Sequence, residues 1–249
     1  CILVLEKRSV LSSWVIILSI TTFTLSMCGT FLVRSGILNS VHTFANDPER
    51  GLFILTFLFV LIFISLFIFF VFHKTEKRNI ESFSILSKET SILINNWFMM
   101  YFLSVVLIGT VYPIFLYVIS SQQISIGPPF YHKLIIPFLI PFLIFMAIGP
   151  QLKWMKFKLE RKFNLIILFL FSLLISYLIL KELNTNLLIN TILIGSAFYL
   201  FSVTVRDFFG KKTKNFSQNI SHFGFSLLIL SILFNNIFSS EIITNLKVG

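Results

Sequence analysis

Charged residues are scarce in this sequence. Only 12% of its 249 residues are Asp, Glu, Lys or Arg, and 56% are hydrophobic, whereas about 25% of the residues are charged in an ordinary soluble domain. The mean hydropathy is +0.92. This composition excludes an ordinary soluble domain and predicts a protein that lies mainly in lipid.

Cysteine and the common catalytic motifs are also lacking. The two cysteines, Cys1 and Cys28, are too few and too far apart for a disulfide framework or a cysteine-based metal site. There is no GxSxG, HExxH, P-loop or CxxC pattern. The four histidines are therefore the first candidates for chemistry.

Seven stretches of at least 18 residues contain no charged side chain. Each can cross a hydrocarbon core as a helix, which takes about 20 residues. The sequence therefore predicts an all-α, polytopic transmembrane bundle of about seven helices, within a single transmembrane domain over residues 1–249. The predicted spans are 9–33, 51–73, 93–118, 134–151, 163–181, 185–205 and 217–239.

Lys and Arg are distributed unevenly between alternate loops. Fifteen lie in the loops of one side and five in those of the other. Because positive loops stay inside, this difference predicts that the N-terminus is inside and the C-terminus outside. It also accounts for the net charge of +10 without nucleic acid as a partner.

Two of the histidines have surroundings that suit a ligand role. His42 lies in the most polar outside loop, near Arg34 and Arg50, so it is either a metal or haem ligand or a solvated loop residue. His222 lies inside the last span, where an ionisable residue suggests function, although it can also be a histidine hydrogen-bonded between helices. Gly224 leaves a small facing surface where a flat macrocycle or another helix could approach closely.

A series of ordered motifs resembles the CcmF family, the haem lyase subunits of multicomponent cytochrome c maturation. The resemblance covers essentially the whole chain, and its order makes it more specific than any single motif. The motifs are Gly29 to Leu38, Ser40-Val41-His42 and Asp47 to Gly51; Ser87-Lys88-Glu89 with Asn95-Asn96; Gly109 to Pro113; Ser125 to Pro129; Ile148-Gly149-Pro150 with Lys153-Trp154; and Ser221 to Gly224.

The resemblance implies haem as the cofactor and gives roles to two histidines. His42 matches the outside-loop histidine that holds the haem being delivered, and His222 matches a membrane histidine that ligates a resident b-type haem. Both would therefore be metal ligands. Arg34 matches a motif position close to His42, and we hypothesise that it contacts a haem propionate because of its charge and proximity. The resemblance makes no residue a general acid or base.

The chain also departs from the family pattern. It contains no tryptophan-rich WWD segment, because Trp14, Trp97 and Trp154 are scattered, and no partner of either histidine is evident. The sequence resembles a central to C-terminal part, without the family's upstream WWD part and C-terminal soluble domain. The expected partners are the remaining CcmF parts with the WWD segment and partner histidines, a haem carrier protein, apocytochrome c and the lipid membrane.

The expected function is that of a subunit of a multi-subunit haem lyase, which presents haem to apocytochrome c for thioether attachment. Thirty-two Phe residues suggest an AT-rich, organellar genome. The expected location is thus the mitochondrial inner membrane, or a bacterial plasma membrane, with the active face toward the intermembrane space or periplasm. The alternatives are a haem-free structural membrane subunit of a larger assembly and a membrane transporter.

Overall fold

The computed structural model describes residues 12–35, 47–73, 87–120, 124–154, 162–182, 187–209 and 216–239. All the regular structure in these ranges is helical. A 3-10 turn, Gly149–Gln151, follows the fourth helix. The α-helices are α1 (Ser12–Arg34), α2 (Pro48–Phe72), α3 (Lys88–Ser120), α4 (Pro128–Ile148), α5 (Lys162–Glu182), α6 (Leu187–Phe209) and α7 (Phe216–Phe238).

Each of the seven described α-helices is long and apolar enough to cross a membrane. The prediction of an all-α transmembrane protein with about seven spans is therefore confirmed. The orientation of the termini stays a prediction.

Local sequence signals determine where α3 and α4 begin and end. Ser87 caps α3: its hydroxyl accepts the backbone N–H of Thr90 at 3.3 Å, and its carbonyl accepts that of Ser91 at 3.0 Å. Helix α3 consequently starts at Lys88, five residues before the predicted span. Helix α4 starts at Pro128, and proline suits this position because the first N–H of a helix has no partner within the helix. Helix α4 ends at Ile148, and the 3-10 turn begins at Gly149.

The described helices form two compact units. The first unit contains α1, α2 and the part of α3 from Val106 onward. Helices α1 and α2 pack against each other as a hairpin. At one end the N–H of Asp47 donates to the carbonyl of Arg34 at 3.0 Å, and at the other the Ser13 hydroxyl lies 2.7 Å from His73 Nε2.

The second unit contains α3 up to Val105 together with α4, α5, α6 and α7. Helix α6 is its centre, because α6 packs against α4, α5 and α7. Half of the α6 span is buried inside the protein, against at most 22% of any other described span. Its buried side chains, including Tyr199, Leu200 and Val203, form a core with Phe142 and Leu143 of α4.

Small residues allow α5 and α6 to approach each other closely. A Cβ atom on Gly195 of α6 would lie 2.6 Å from Cδ2 and 3.2 Å from Cα of Leu173 in α5. Nearby, the buried Ser176 hydroxyl of α5 donates to the carbonyl of Thr191 in α6 at 2.6 Å. Membrane helices without a hydrophobic driving force associate through such small residues and interhelical hydrogen bonds.

We predict that Gly195→Ala lowers the stability of the second unit. The added methyl group meets Leu173, including its backbone, and overpacking of this kind costs about 1–3 kcal/mol. The matched control is Gly224→Ala in α7, where a Cβ atom has nothing within 4 Å. Both changes share the gain in helix propensity of up to about 1 kcal/mol. Thermal unfolding in detergent, followed by circular dichroism, should give the Gly195 variant the lower midpoint, and equal midpoints would contradict the close approach.

Candidate functional site

His222 lies in the second turn of α7, about 9 Å along the helix axis from its first residue. The side chain is half-buried and lines a small, partly open cleft. The cleft walls come from the end of α4 and its 3-10 turn, the end of α6 and the start of α7. Met146, Ala147 and Val203 form its apolar part, whereas Thr204, Asp207, Gln218 and Asn219 add polar atoms.

One ring nitrogen of His222, Nδ1, is buried and has no hydrogen-bond partner among the described residues. A buried polar atom without a partner costs about 1–3 kcal/mol. A group that bonds to Nδ1 would remove this cost. Imidazole nitrogens are haem-iron ligands. The donor type and the apolar wall beside it suit a haem-iron ligand, and His222 would be the residue that holds the iron.

Asp207 of α6 joins three segments around the cleft. Its Oδ2 accepts a hydrogen bond from Gln151 Nε2 of the 3-10 turn. Its Oδ1 accepts Arg206 Nε at 3.2 Å and Arg206 Nη2 at 3.0 Å. Its backbone carbonyl accepts Asn219 Nδ2 of α7 at 3.1 Å. The start of α7, which carries His222, is thereby attached to the end of α6.

A second polar contact holds α7 one turn beyond His222. The hydroxyls of Thr204 and Ser226 lie 3.0 Å apart and both residues are buried. Ser226 is four residues after His222 and therefore shares its helix face. This contact, together with the bond between Asn219 and Asp207, fixes the rotation of α7 on both sides of the histidine.

Gly224 does not belong to the cleft. It follows His222 by two residues, which is about 200° round an α-helix, and it is exposed with open space around it. The surface that Gly224 leaves open is therefore on another face of α7 than His222, and the approach of a macrocycle or another helix to it stays a prediction. The apolar wall of the cleft comes from α4 and α6.

Several of the sequence motifs meet at the end of the second unit that contains the cleft. The backbone N–H of Lys88 donates to the carbonyl of Lys153 at 3.1 Å, and Lys88 Nζ lies 5.5 Å from the centre of the Trp154 ring. A Cβ atom on the buried Gly149 would meet the Ser91 hydroxyl, so a larger residue there would require that hydroxyl to move. The motifs around Lys88, Gly149 and Trp154 thus lie together at this end of the second unit.

The other candidate site lies in the first unit, and only its stem is described. His42 lies outside the described residues. The chain on either side of it is joined by the bond from Asp47 N–H to the Arg34 carbonyl. Gly51 is buried against Ser35, whose Cα would lie 3.1 Å from a Cβ atom at position 51. Arg34, at the end of α1, therefore belongs to the stem of the loop that carries His42.

The remaining two histidines have ordinary structural surroundings. His73 ends α2, donates its N–H to the carbonyl of Phe69 at 3.0 Å and stacks on the Phe69 ring at 4.9 Å. His132 is exposed in the first turns of α4. Within the described ranges, no group of three or more His, Cys, Asp and Glu side chains is placed to hold a metal ion.

The sequence predicted His222 and Arg34 as site residues but missed Gln151, Arg206, Asp207 and Asn219. The missed residues are polar side chains at the ends of apolar spans, where composition alone makes them look like ordinary boundary residues. One signal was present, because Arg206 and Asp207 are neighbouring opposite charges directly after an apolar span. Their contact with Gln151 depends on helix packing and has no signature in the sequence.

The fold and the cleft define the class of protein: a polytopic helical membrane protein with a half-buried histidine at one end of its bundle. Comparison with known proteins then identifies the family. The chain is 32% identical to the cytochrome c-type biogenesis protein CcmF of Escherichia coli, in an alignment of 256 positions that covers 99% of the chain. It is 31% identical to CcmF of Haemophilus influenzae, in an alignment of 262 positions that again covers 99% of the chain. The chain is a homologue of these proteins and belongs to the CcmF family.

The similarity covers only a part of the relatives. The chain spans 39% of the Escherichia coli protein and 40% of the Haemophilus influenzae protein. CcmF of Pseudomonas aeruginosa is 42% identical over 151 residues, which are 61% of the chain and 23% of that relative. No family model matches the chain, and no solved structure matches it.

Proposed function

We propose that the chain is a haem-handling subunit, or part of one, in cytochrome c maturation. The observation that carries this proposal is His222, which lines a partly apolar cleft and whose buried Nδ1 has no partner within the described part of the chain. The similarity to proteins named for cytochrome c biogenesis supports it. A b-type haem would be held by His222 from this chain.

The second part of the proposal concerns the delivered haem. His42 would be an iron ligand to that haem, and Arg34 would pair with one of its propionates. When bound, this haem supplies the vinyl groups to which the two thiols of a Cys-x-x-Cys-His segment become attached. The contribution of the chain is orientation and exclusion of side reactions.

The residues around His222 would keep its ring in a fixed position. Asn219 and Ser226 bond to α6 on either side of the histidine, which restricts both the rotation and the sliding of α7. A ligand on a rigid helix is held more accurately than one on a loop. The arrangement therefore suits a permanently bound haem.

The partners follow from the same proposal. They are the remaining CcmF parts, which carry the WWD segment and the partner histidines, a haem carrier protein and apocytochrome c. The proposed location is the mitochondrial inner membrane or a bacterial plasma membrane, with the loop of His42 on the intermembrane-space or periplasmic side. A haem-free structural subunit is the second candidate, because the sequence contains no WWD segment and no evident partner for either histidine.

We predict that His222→Ala removes the resident haem. Changes in the residues that merely support a ligand cost about 10–100-fold in affinity, so loss of the ligand itself should lower haem content at least about tenfold. The measurement is the reduced-minus-oxidised spectrum of the assembled complex, purified from membranes. His132→Ala is the control, since His132 is exposed and lies outside the cleft. A normal b-type spectrum in the His222 variant would refute the assignment, and a haem-free wild-type complex would favour the structural subunit.

The proposal for the delivered haem predicts a different pattern. His42→Ala should abolish the trapping of haem from the carrier protein and leave the b-type spectrum intact, because the two haems have different ligands. Arg34→Ala should weaken trapping about tenfold, as expected for the loss of a charge-assisted hydrogen bond. Co-purification of haem with the complex when apocytochrome c is withheld measures both. Unchanged trapping in the Arg34 variant would count against the propionate contact.

The proposed orientation can be tested at two exposed lysines, Lys133 and Lys153, at the start of α4 and after its 3-10 turn. In a background without the two native cysteines, Lys133→Cys should react with a membrane-impermeant thiol reagent added from outside. Lys153→Cys should react only after the membrane is opened, because the basic loops lie inside. The reverse pattern would invert the topology.

A further inference from the structure

Two of the motifs that carry the CcmF resemblance meet at one end of the second unit, away from the lining of the His222 cleft. Lys88 is the first residue of α3, and Lys153 and Trp154 follow the 3-10 turn after α4. The backbone N–H of Lys88 donates to the carbonyl of Lys153 at 3.1 Å, and Lys88 Nζ lies 5.5 Å from the centre of the Trp154 ring. These contacts bring two lysines and an indole together.

The charge at this surface is positive. Lys153 is exposed and Lys88 is half-buried. In contrast, Glu89 is fully buried, at 0% exposure, although it is the neighbour of Lys88. Both carboxylate oxygens of Asp207 accept hydrogen bonds from side chains of the second unit. The surface therefore carries the charges of Lys88 and Lys153, whereas the carboxylates of Glu89 and Asp207 are buried or bonded within the protein.

These residues lie where two membrane spans end. Lys88 begins the third described span, and Lys153 lies two residues after Gln151, the end of the fourth. Phospholipid headgroups occupy this level of a membrane, and tryptophan is enriched there. Fifteen of the twenty Lys and Arg residues belong to the loops of this side, and such basic segments attract anionic lipids. The depth and the charge therefore both suit a lipid phosphate.

We propose that Lys88, Lys153 and Trp154 form a binding site for the headgroup of an anionic phospholipid. The two ammonium groups bind the phosphate as point charges. The face of the indole ring attracts the Lys88 ammonium and so keeps it beside the site. A zwitterionic lipid has the same phosphate, but its own ammonium group offsets the charge, so the site selects lipids with a net negative charge. The site does not require haem at His222.

The test compares dioctanoyl phosphatidylglycerol, which is anionic, with dioctanoyl phosphatidylcholine, which is zwitterionic. The assembled complex is purified in a neutral detergent and titrated with each lipid, and native mass spectrometry counts the lipids that stay bound. Wild type should bind the anionic lipid at least about fivefold more tightly, which is the contribution of one lysine near a charged headgroup. Lys88→Gln and Lys153→Gln should each weaken its binding about fivefold. The double variant should retain one anionic lipid fewer than wild type.

Two kinds of control accompany these variants. Lys133→Gln removes the same charge from an exposed position near the start of α4, about 22 Å along the helix axis from Ile148. It should leave the binding of the anionic lipid unchanged. Lys88→Arg and Lys153→Arg keep the charge and should bind this lipid like wild type. Weaker binding in the glutamine variants alone therefore reports the loss of charge and not a change in folding.

Three results would overturn the inference. The first is equal binding of the two lipids by wild type, a comparison that needs no variant to assemble, or an unchanged number of anionic lipids in the double variant. The second is displacement of the lipid by inorganic phosphate at the same concentration, which would make a free anion the ligand. The third is displacement by a polyglutamate peptide, which would make an acidic protein segment the ligand. None of these results affects the function proposed for His222.

Discussion

Asp207 joins three segments of the second unit. Its carboxylate bonds to Gln151 of the 3-10 turn after α4 and to Arg206 at the end of α6, and its backbone carbonyl bonds to Asn219 at the start of α7. In lipid, each of these polar groups would be costly without a partner. Their mutual bonding therefore fixes how three helices end relative to one another. The position of His222 depends on this junction, because the histidine lies one turn beyond Asn219 on the attached helix.

The cost of an unpaired polar group in lipid also distinguishes polar residues that bond within the protein from those that remain available to a ligand. Serine and threonine hydroxyls in the described helices donate mostly to carbonyls of the preceding turn, or to each other, as at Thr204 and Ser226. Two buried side-chain nitrogens in the described ranges remain without partners, and both belong to residues at the His222 cleft or bonded to its wall. Among the described residues, polar groups without a partner are therefore concentrated at this end of the second unit.

Helix α6 makes this arrangement possible. Its small residues, Gly195, Ser196 and Ala197, let neighbouring helices approach, so the core forms around α6. The polar end of α6 lines the cleft. In contrast, α2 is apolar on all sides and exposes large side chains such as Phe53 and Phe70. Such a surface needs no protein partner in lipid, since lipid tails are as apolar as the side chains.

The sequence by itself determined the number and type of the spans, because a bilayer requires long uncharged helices and the charges mark their ends. It also indicated His222, since an ionisable residue within a span stands out, and the motifs that carry the CcmF resemblance. The tertiary structure alone decided which polar residues surround that histidine. Gln151 and Asp207 are 56 residues apart in the chain, and Gly224, although close in sequence to His222, lies on another face of α7. Contacts between helices depend on packing and rotation, which hydropathy and charge do not encode.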